Sequence, residues 1–171
     1  YSGFAEEENQ AKETQTNETN ETQAYETTAN DTLSLAAETA VLIDAASGEI
    51  LYDKDADKKM YPASITKLMT ILLALENGKL TDEITFSHDA VYNMEPGRAH
   101  IAILEGETLT LEQVLRAIIL RSANEASNGV AEYVDGSVEA FAKHMTERAK
   151  ELGCTNTNFV NANGLFDENH Y

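Results

Sequence analysis

The feature that most constrains this 171-residue chain is the change of composition near Leu35. From Asn9 to Asn30 the sequence is almost entirely Glu, Thr, Asn, Gln and Ala. Such a tract has too little apolar surface to offset the entropy of ordering it, so residues 1–36 read as a disordered acidic leader. Whatever core the chain builds must come from 37–171, a length that suffices for one domain. Three Asn-x-Thr matches in the leader (at Asn17, Asn20 and Asn30) are expected by chance in so Asn- and Thr-rich a stretch. Tyr1-Ser2-Gly3-Phe4-Ala5 reads either as the end of a removed signal peptide or as an arbitrary boundary.

Charge and cysteine usage exclude several classes. The chain has 30 acidic and 12 basic side chains, a net −18. The leader carries −7 of it and residues 37–171 carry −11, so neither part suits a nucleic-acid backbone or an anionic membrane surface. One cysteine cannot form an internal disulfide, and no Cys/His cluster has zinc-ligand spacing. No apolar run reaches the roughly 18–20 residues of a membrane span, so no membrane anchor is expected in this chain.

Beyond the leader the pattern is strands followed mostly by helices, an α+β arrangement. Ala40 to Asp44 and Glu49 to Tyr52 flank Ala46-Ser47-Gly48 as a β-hairpin. A helix follows Pro62, with Ile65, Leu68, Leu72 and Leu75 forming its apolar stripe and Asn77-Gly78 its end. Ile84 to Phe86 reads as a short strand, Ser87 as a helix cap, and 93–109 as irregular. Thr110 and Gln113 form a capping box for a helix that buries Leu111, Val114, Leu115, Ile118 and Ile119. After a break at Ser122-Ala123-Asn124 comes a helix from Glu125 to Val134. Ser137 caps another helix, which turns Phe141, Met145, Ala149 and Leu152 inward and ends at Gly153. Cys154 then reads as a small buried hydrophobe. A hairpin alone is marginal, so the sheet is expected to be incomplete in this chain.

Two constellations carry chemistry. In Tyr61-Pro62-Ala63-Ser64-Ile65-Thr66-Lys67, Pro62 puts Ser64 in the first helical turn and Lys67 on the same face three residues later. A serine hydroxyl becomes a nucleophile only when a base takes its proton, and a lysine serves if burial disfavours its charged form. The helix start adds unpaired N–H groups where an oxyanion would develop. Taken alone, the same residues fit a capping serine and a solvated lysine. Ser122-Ala123-Asn124, at the break between two helices, offers a hydroxyl for proton relay and a carboxamide for a substrate amide. Alone it fits helix capping better.

Together, Ser-x-x-Lys at a helix start and Ser-x-Asn in an interhelical turn resemble the penicillin-recognising serine enzymes. The flanks narrow the likeness. Val41-Leu42-Ile43-Asp44 with Ser47-Gly48-Glu49-Ile50-Leu51, Pro62 to Thr70, Leu120 to Ala126, and Asn158 to Leu165 with His170-Tyr171 are similar to serine-type D-alanyl-D-alanine carboxypeptidases, the low-molecular-mass penicillin-binding proteins. The resemblance implies the β-lactamase/transpeptidase-like fold, present here as its N-terminal part, within 37–171. It implies Ser64 as nucleophile, Lys67 as general base, Ser122 as proton relay and Asn124 as a substrate-binding group, without metal or cofactor. The implied partners are the peptidoglycan stem peptide ending in D-Ala-D-Ala and the β-lactams that inhibit its cleavage. The implied location is the bacterial cell envelope, after export.

Three departures qualify what is carried over. No Lys, Arg or His is followed by Thr-Gly or Ser-Gly, so the family's third motif is missing and these 171 residues are expected to be inactive by themselves. Arg98-Ala99-His100 stands where relatives often carry Gly-Ser-Ser, and Glu125 follows Asn124 where Asp is common. The missing motif leaves a non-catalytic peptidoglycan- or penicillin-binding module as an alternative. A serine β-lactamase is another, although no Glu-x-x-Leu-Asn segment is present.

Overall fold

The structure is a computed structural model that describes residues 34–93 and 97–171, so all but the last three residues of the expected leader lie outside it. The chain divides between Ala56 and Asp57 into two units.

In the first unit β1 (Ala40–Ile43) pairs antiparallel with β2 (Ile50–Lys54), Leu42 facing Tyr52, with a register shift between Leu42 and Ile43. The turn is organised by Asp44, whose Oδ1 accepts the N–H groups of Ala46 and Ser47 and the Ser47 hydroxyl. Those bonds, led by the Ser47 N–H, hold the Asp44 carboxyl below its usual pKa. Gly48 takes the left-handed conformation (φ +76°) that closes the turn. Lys54 Nζ donates to the carbonyls of Leu35 (3.0 Å) and Ala37 (2.6 Å), tying down the strand's approach.

The second unit, Asp57–Tyr171, is helical around a central rod. After a 3₁₀ turn (Ala63–Thr66) come α1 (Lys67–Asn77), β3 (Glu83–Thr85), α2 (His88–Tyr92) and β4 (Thr108–Thr110). They are followed by α3 (Leu111–Arg121), α4 (Asn124–Asp135) and α5 (Val138–Glu151). Helices α1, α2, α3 and α5 all pack on α4, whose Ala126, Val130 and Ala131 are wholly buried. Small side chains on α4 let its neighbours approach closely. At Gly129 a Cβ would stand 2.3 Å from Phe86 Cε1, so only glycine accommodates that ring without a shift. Leu73, Phe86, Leu111, Val114, Phe141 and Met145 complete the core around it. The capping box at Thr110 and Gln113 is formed, and Ser87 and Ser137 cap α2 and α5 through Ala90 N and Ala140 N.

Several expectations need correction. The apolar stripe of α1 does not face the core: Ile65, Leu68 and Leu75 are exposed, and the buried face carries Lys67, Thr70, Leu73 and Ala74. The polar members of that face can be buried because each has partners, Thr70 Oγ1 donating to Ala162 O at 2.6 Å. Ile119 and Leu152 are likewise exposed, Leu152 lying just past the end of α5, and Cys154 is exposed rather than buried. At the end of the stretch read as irregular, Thr108 and Leu109 join Thr110 in β4, paired with β3 so that Ile84 faces Leu109.

Candidate active site

Ser64 and Ser122 both sit at strained backbone. Ala63, just before Ser64, has φ +48°, and Ser122, the C-cap of α3, has φ +54°. Left-handed backbone costs a non-glycine residue roughly 1–2 kcal/mol, which the surrounding packing must sustain. The second unit brings together all four side chains that the sequence singles out. Ser122 Oγ lies 3.0 Å from Ser64 Oγ, and Lys67 Nζ lies 3.4 Å from Ser64 Oγ on the other side. Lys67 Nζ also donates to Asn124 Oδ1 (2.8 Å) and to the carbonyl of Asn163 (2.6 Å). Asn124 Nδ2 makes no hydrogen bond among the described residues, which leaves it available to a ligand.

Lys67 is only 4% exposed. Burial pulls its pKa from 10.5 down to about 8, opposed in part by the charge of Glu125. With three acceptors around it the ammonium is fully bonded. Once neutral, the amine has a lone pair to receive the Ser64 proton across the 3.4 Å contact. Ser64 is the second residue of the 3₁₀ turn, where N–H groups lack intrahelical acceptors and suit a negatively charged oxygen.

The segment 159–171 holds the lysine in place, a role that sequence reasoning missed. Its Asn161 Oδ1 accepts the N–H groups of Asn163 and Gly164, shaping the turn that presents the Asn163 carbonyl to Lys67. Gly164 (φ +81°) packs directly on the 3₁₀ turn that carries Ser64: a Cβ there would stand 1.8 Å from Ala63 O. His170, 2% exposed, accepts the Val160 N–H at Nδ1, so its Nε2–H donates to Thr66 Oγ1 at 2.7 Å. Burial holds the His170 pKa below 6.5, with Asp167 acting in the opposite sense. Asn163 Nδ2 further donates to Asn128 Oδ1, and Asn128 Nδ2 to Ala90 O. A 320 Å³ cavity lined by Asp89, Asn128, Glu132, Asn161 and Asn163 adjoins this pair. The Asn-x-Asn-Gly turn chemistry was the one signal in the sequence for this support. Among the described residues no group of three His, Cys, Asp or Glu is placed to hold a metal ion, and no helix is long and apolar enough to cross a membrane.

Solved structures of the same shape define the class. The D-alanyl-D-alanine carboxypeptidase DacD of Francisella tularensis matches with a TM-score of 0.74 and 30% identity, over 80% of this chain and 34% of its own. Penicillin-binding protein 5 of Haemophilus influenzae matches with a TM-score of 0.72 and 31% identity, over 79% and 41%. The fold is therefore the β-lactamase/transpeptidase-like one of the penicillin-binding proteins. The family model for D-alanyl-D-alanine carboxypeptidases, peptidase family S11, covers residues 23–171, and the chain belongs to that family. D-alanyl-D-alanine carboxypeptidase DacF of Bacillus subtilis is 41% identical over 144 residues, 81% of this chain and 36% of the relative. The chain thus spans about a third of the length of the curated relatives it matches.

Proposed function

We propose that the protein carrying this chain is a serine-type D-alanyl-D-alanine carboxypeptidase of the bacterial cell envelope, exported to act on peptidoglycan stem peptides and acylated by β-lactams. The observation that carries this is the pairing of Ser64 with a buried lysine, 3.4 Å away, whose pKa is about 8. Neutral Lys67 takes the Ser64 proton as Oγ attacks the carbonyl carbon of the penultimate D-alanine. The oxyanion forms against the Ser64 N–H. The C–N bond then breaks, and the proton passes from Lys67 through Ser122, 3.0 Å from Ser64 Oγ, to the departing amine of D-alanine. Asn124 holds the substrate backbone through its free Nδ2. Water, deprotonated by the same lysine, attacks the ester and frees Ser64. In a β-lactam the ring amide takes the place of the D-Ala-D-Ala bond, and its amine cannot depart.

A polypeptide of these 171 residues alone contains no Lys-Thr-Gly, hence no cation from that motif for the substrate carboxylate, and is proposed to be inactive. The test uses the full gene product that contains residues 1–171. It forms a stable fluorescent-penicillin adduct and releases D-alanine from a D-Ala-D-Ala peptide, and Ser64→Ala loses both while remaining folded. No adduct and no release would leave the non-catalytic module, and rapid turnover of penicillin would leave the β-lactamase.

A further inference from the structure

The one buried side-chain atom without a hydrogen-bond partner among the described residues is Oε2 of Glu125. Glu125 is 1% exposed, in the first turn of α4 directly after Asn124. A helix start favours a carboxylate, but that service is available at the surface, without removing a charge from water. The burial therefore needs a reason beyond helix stability. Its other oxygen, Oε1, accepts the N–H of Ile101 at 2.6 Å, a short charge-assisted bond. The neighbouring Asn124 N–H donates to Ala99 O at 3.0 Å. Consecutive residues of α4 thus grip the segment that contains Ala99, His100 and Ile101 at two points. Glu125 also acts electrostatically on Lys67, which Asn124 contacts from the same helix turn.

We infer that Glu125 is a positioning residue for this site: its buried carboxylate clamps the 99–101 segment beside Asn124, the side chain that accepts from Lys67. Replacing Asp by Glu after the Ser-x-Asn motif therefore bears on the site itself. The clamp fixes one edge of the space in front of Asn124, so its loss lowers the maximal acylation rate through misalignment of substrate. The charge favours the ammonium form of Lys67, so its loss does the opposite of damage at low pH: the neutral base persists to more acidic conditions. The two effects separate in a pH profile. The other ionisable side chains on and beside the joined segments are Arg98 and His100 on the clamped loop, Arg121 at the end of α3, and Glu132, Tyr133 and Asp135 further along α4. The profile is repeated in a His100→Asn background as a control for the imidazole on the clamped loop.

The rate readout rests on the carboxypeptidase reading, but the lysine titration does not. In the full gene product, Glu125→Gln is expected to lower the Lys67 midpoint, followed by its ¹³Cε resonance, by about one pH unit. The acid limb of penicillin acylation shifts equally, and the plateau rate falls about tenfold. Glu125→Asp, which keeps the charge but shortens the reach, retains the midpoint and loses part of the plateau. If the Gln variant fails to fold by thermal melting, the Asp variant decides: a plateau equal to the parent's overturns the clamp. A Gln variant with the parent's midpoint and plateau overturns the inference as a whole. A parent that is neither acylated nor releases D-alanine defeats the carboxypeptidase reading, and the Lys67 titration then still tests the role of Glu125.

Discussion

Burial of Lys67 sets a number that an experiment can contradict. With a pKa of about 8, roughly one Lys67 in ten is neutral at pH 7. A solvated lysine would be neutral in about one molecule in three thousand, so burial enlarges the pool of base about 300-fold. Pseudo-first-order acylation by penicillin, followed from pH 6 to 10, should rise about tenfold per pH unit, bend near pH 8 and level off by about pH 9. The same depression has a cost in stability. Between pH 8 and 10.5 the unfolded chain binds a proton that the folded site refuses, so stability increases with pH across that window. The integrated change is about 3 kcal/mol, an order-of-magnitude figure for a side chain almost wholly removed from solvent. Urea unfolding at several pH values, compared with Lys67→Met, isolates this contribution, because the variant lacks the rise while other groups titrate alike. An acylation midpoint above about 9.5, or a Met variant with the parent's slope, would refute the argument that desolvation activates the serine.

Two further perturbations probe the support behind Lys67. Gly164→Ala would force a left-handed alanine whose Cβ meets Ala63 O, and should cost about 2–4 kcal/mol in thermal melts while weakening penicillin labelling of Ser64. Gly48→Ala, equally left-handed but with nothing within 4 Å, should cost only about 1 kcal/mol and leave labelling alone; equal losses at both glycines would count against the packing argument. For His170, burial keeps the ring neutral in the folded state, so stability falls as pH drops below 6.5, where the unfolded chain binds a proton first. His170→Gln should remove that decline between pH 7 and 5 in melting curves, and an unchanged slope would show that the ring is not the group responsible.

Much of the helical unit was legible because its signals are local. Thr110 and Gln113 announce the start of α3 by reciprocal capping, and Ser137 announces that of α5 by accepting the Ala140 N–H. Ser64 and Lys67 were legible together because three residues on a helix place them side by side. What failed was the inference from apolarity to burial. On α1 the apolar stripe lies outside, while the inner face mixes Lys67 and Thr70 with Leu73 and Ala74. A polar residue with a distant partner is indistinguishable, in sequence, from one facing water. Asn163 and Glu125 escaped for the same reason, since their roles depend on residues 96 positions away at Lys67 and 24 away at Ile101. β4 escaped because three residues acquire strand structure only from their pairing with β3.

The separations that hid these contacts also bear on timing. Lys67 meets Asn124 and Asn163 across 57 and 96 positions of chain, and Ser122 reaches Ser64 across 58. Closures of that span form late and slowly compared with a helical turn. Until they form, Lys67 is a hydrated ammonium and Ser64 an ordinary alcohol. Whatever reactivity the proposed Ser64–Lys67 pair has would therefore arrive only as a by-product of finishing the fold.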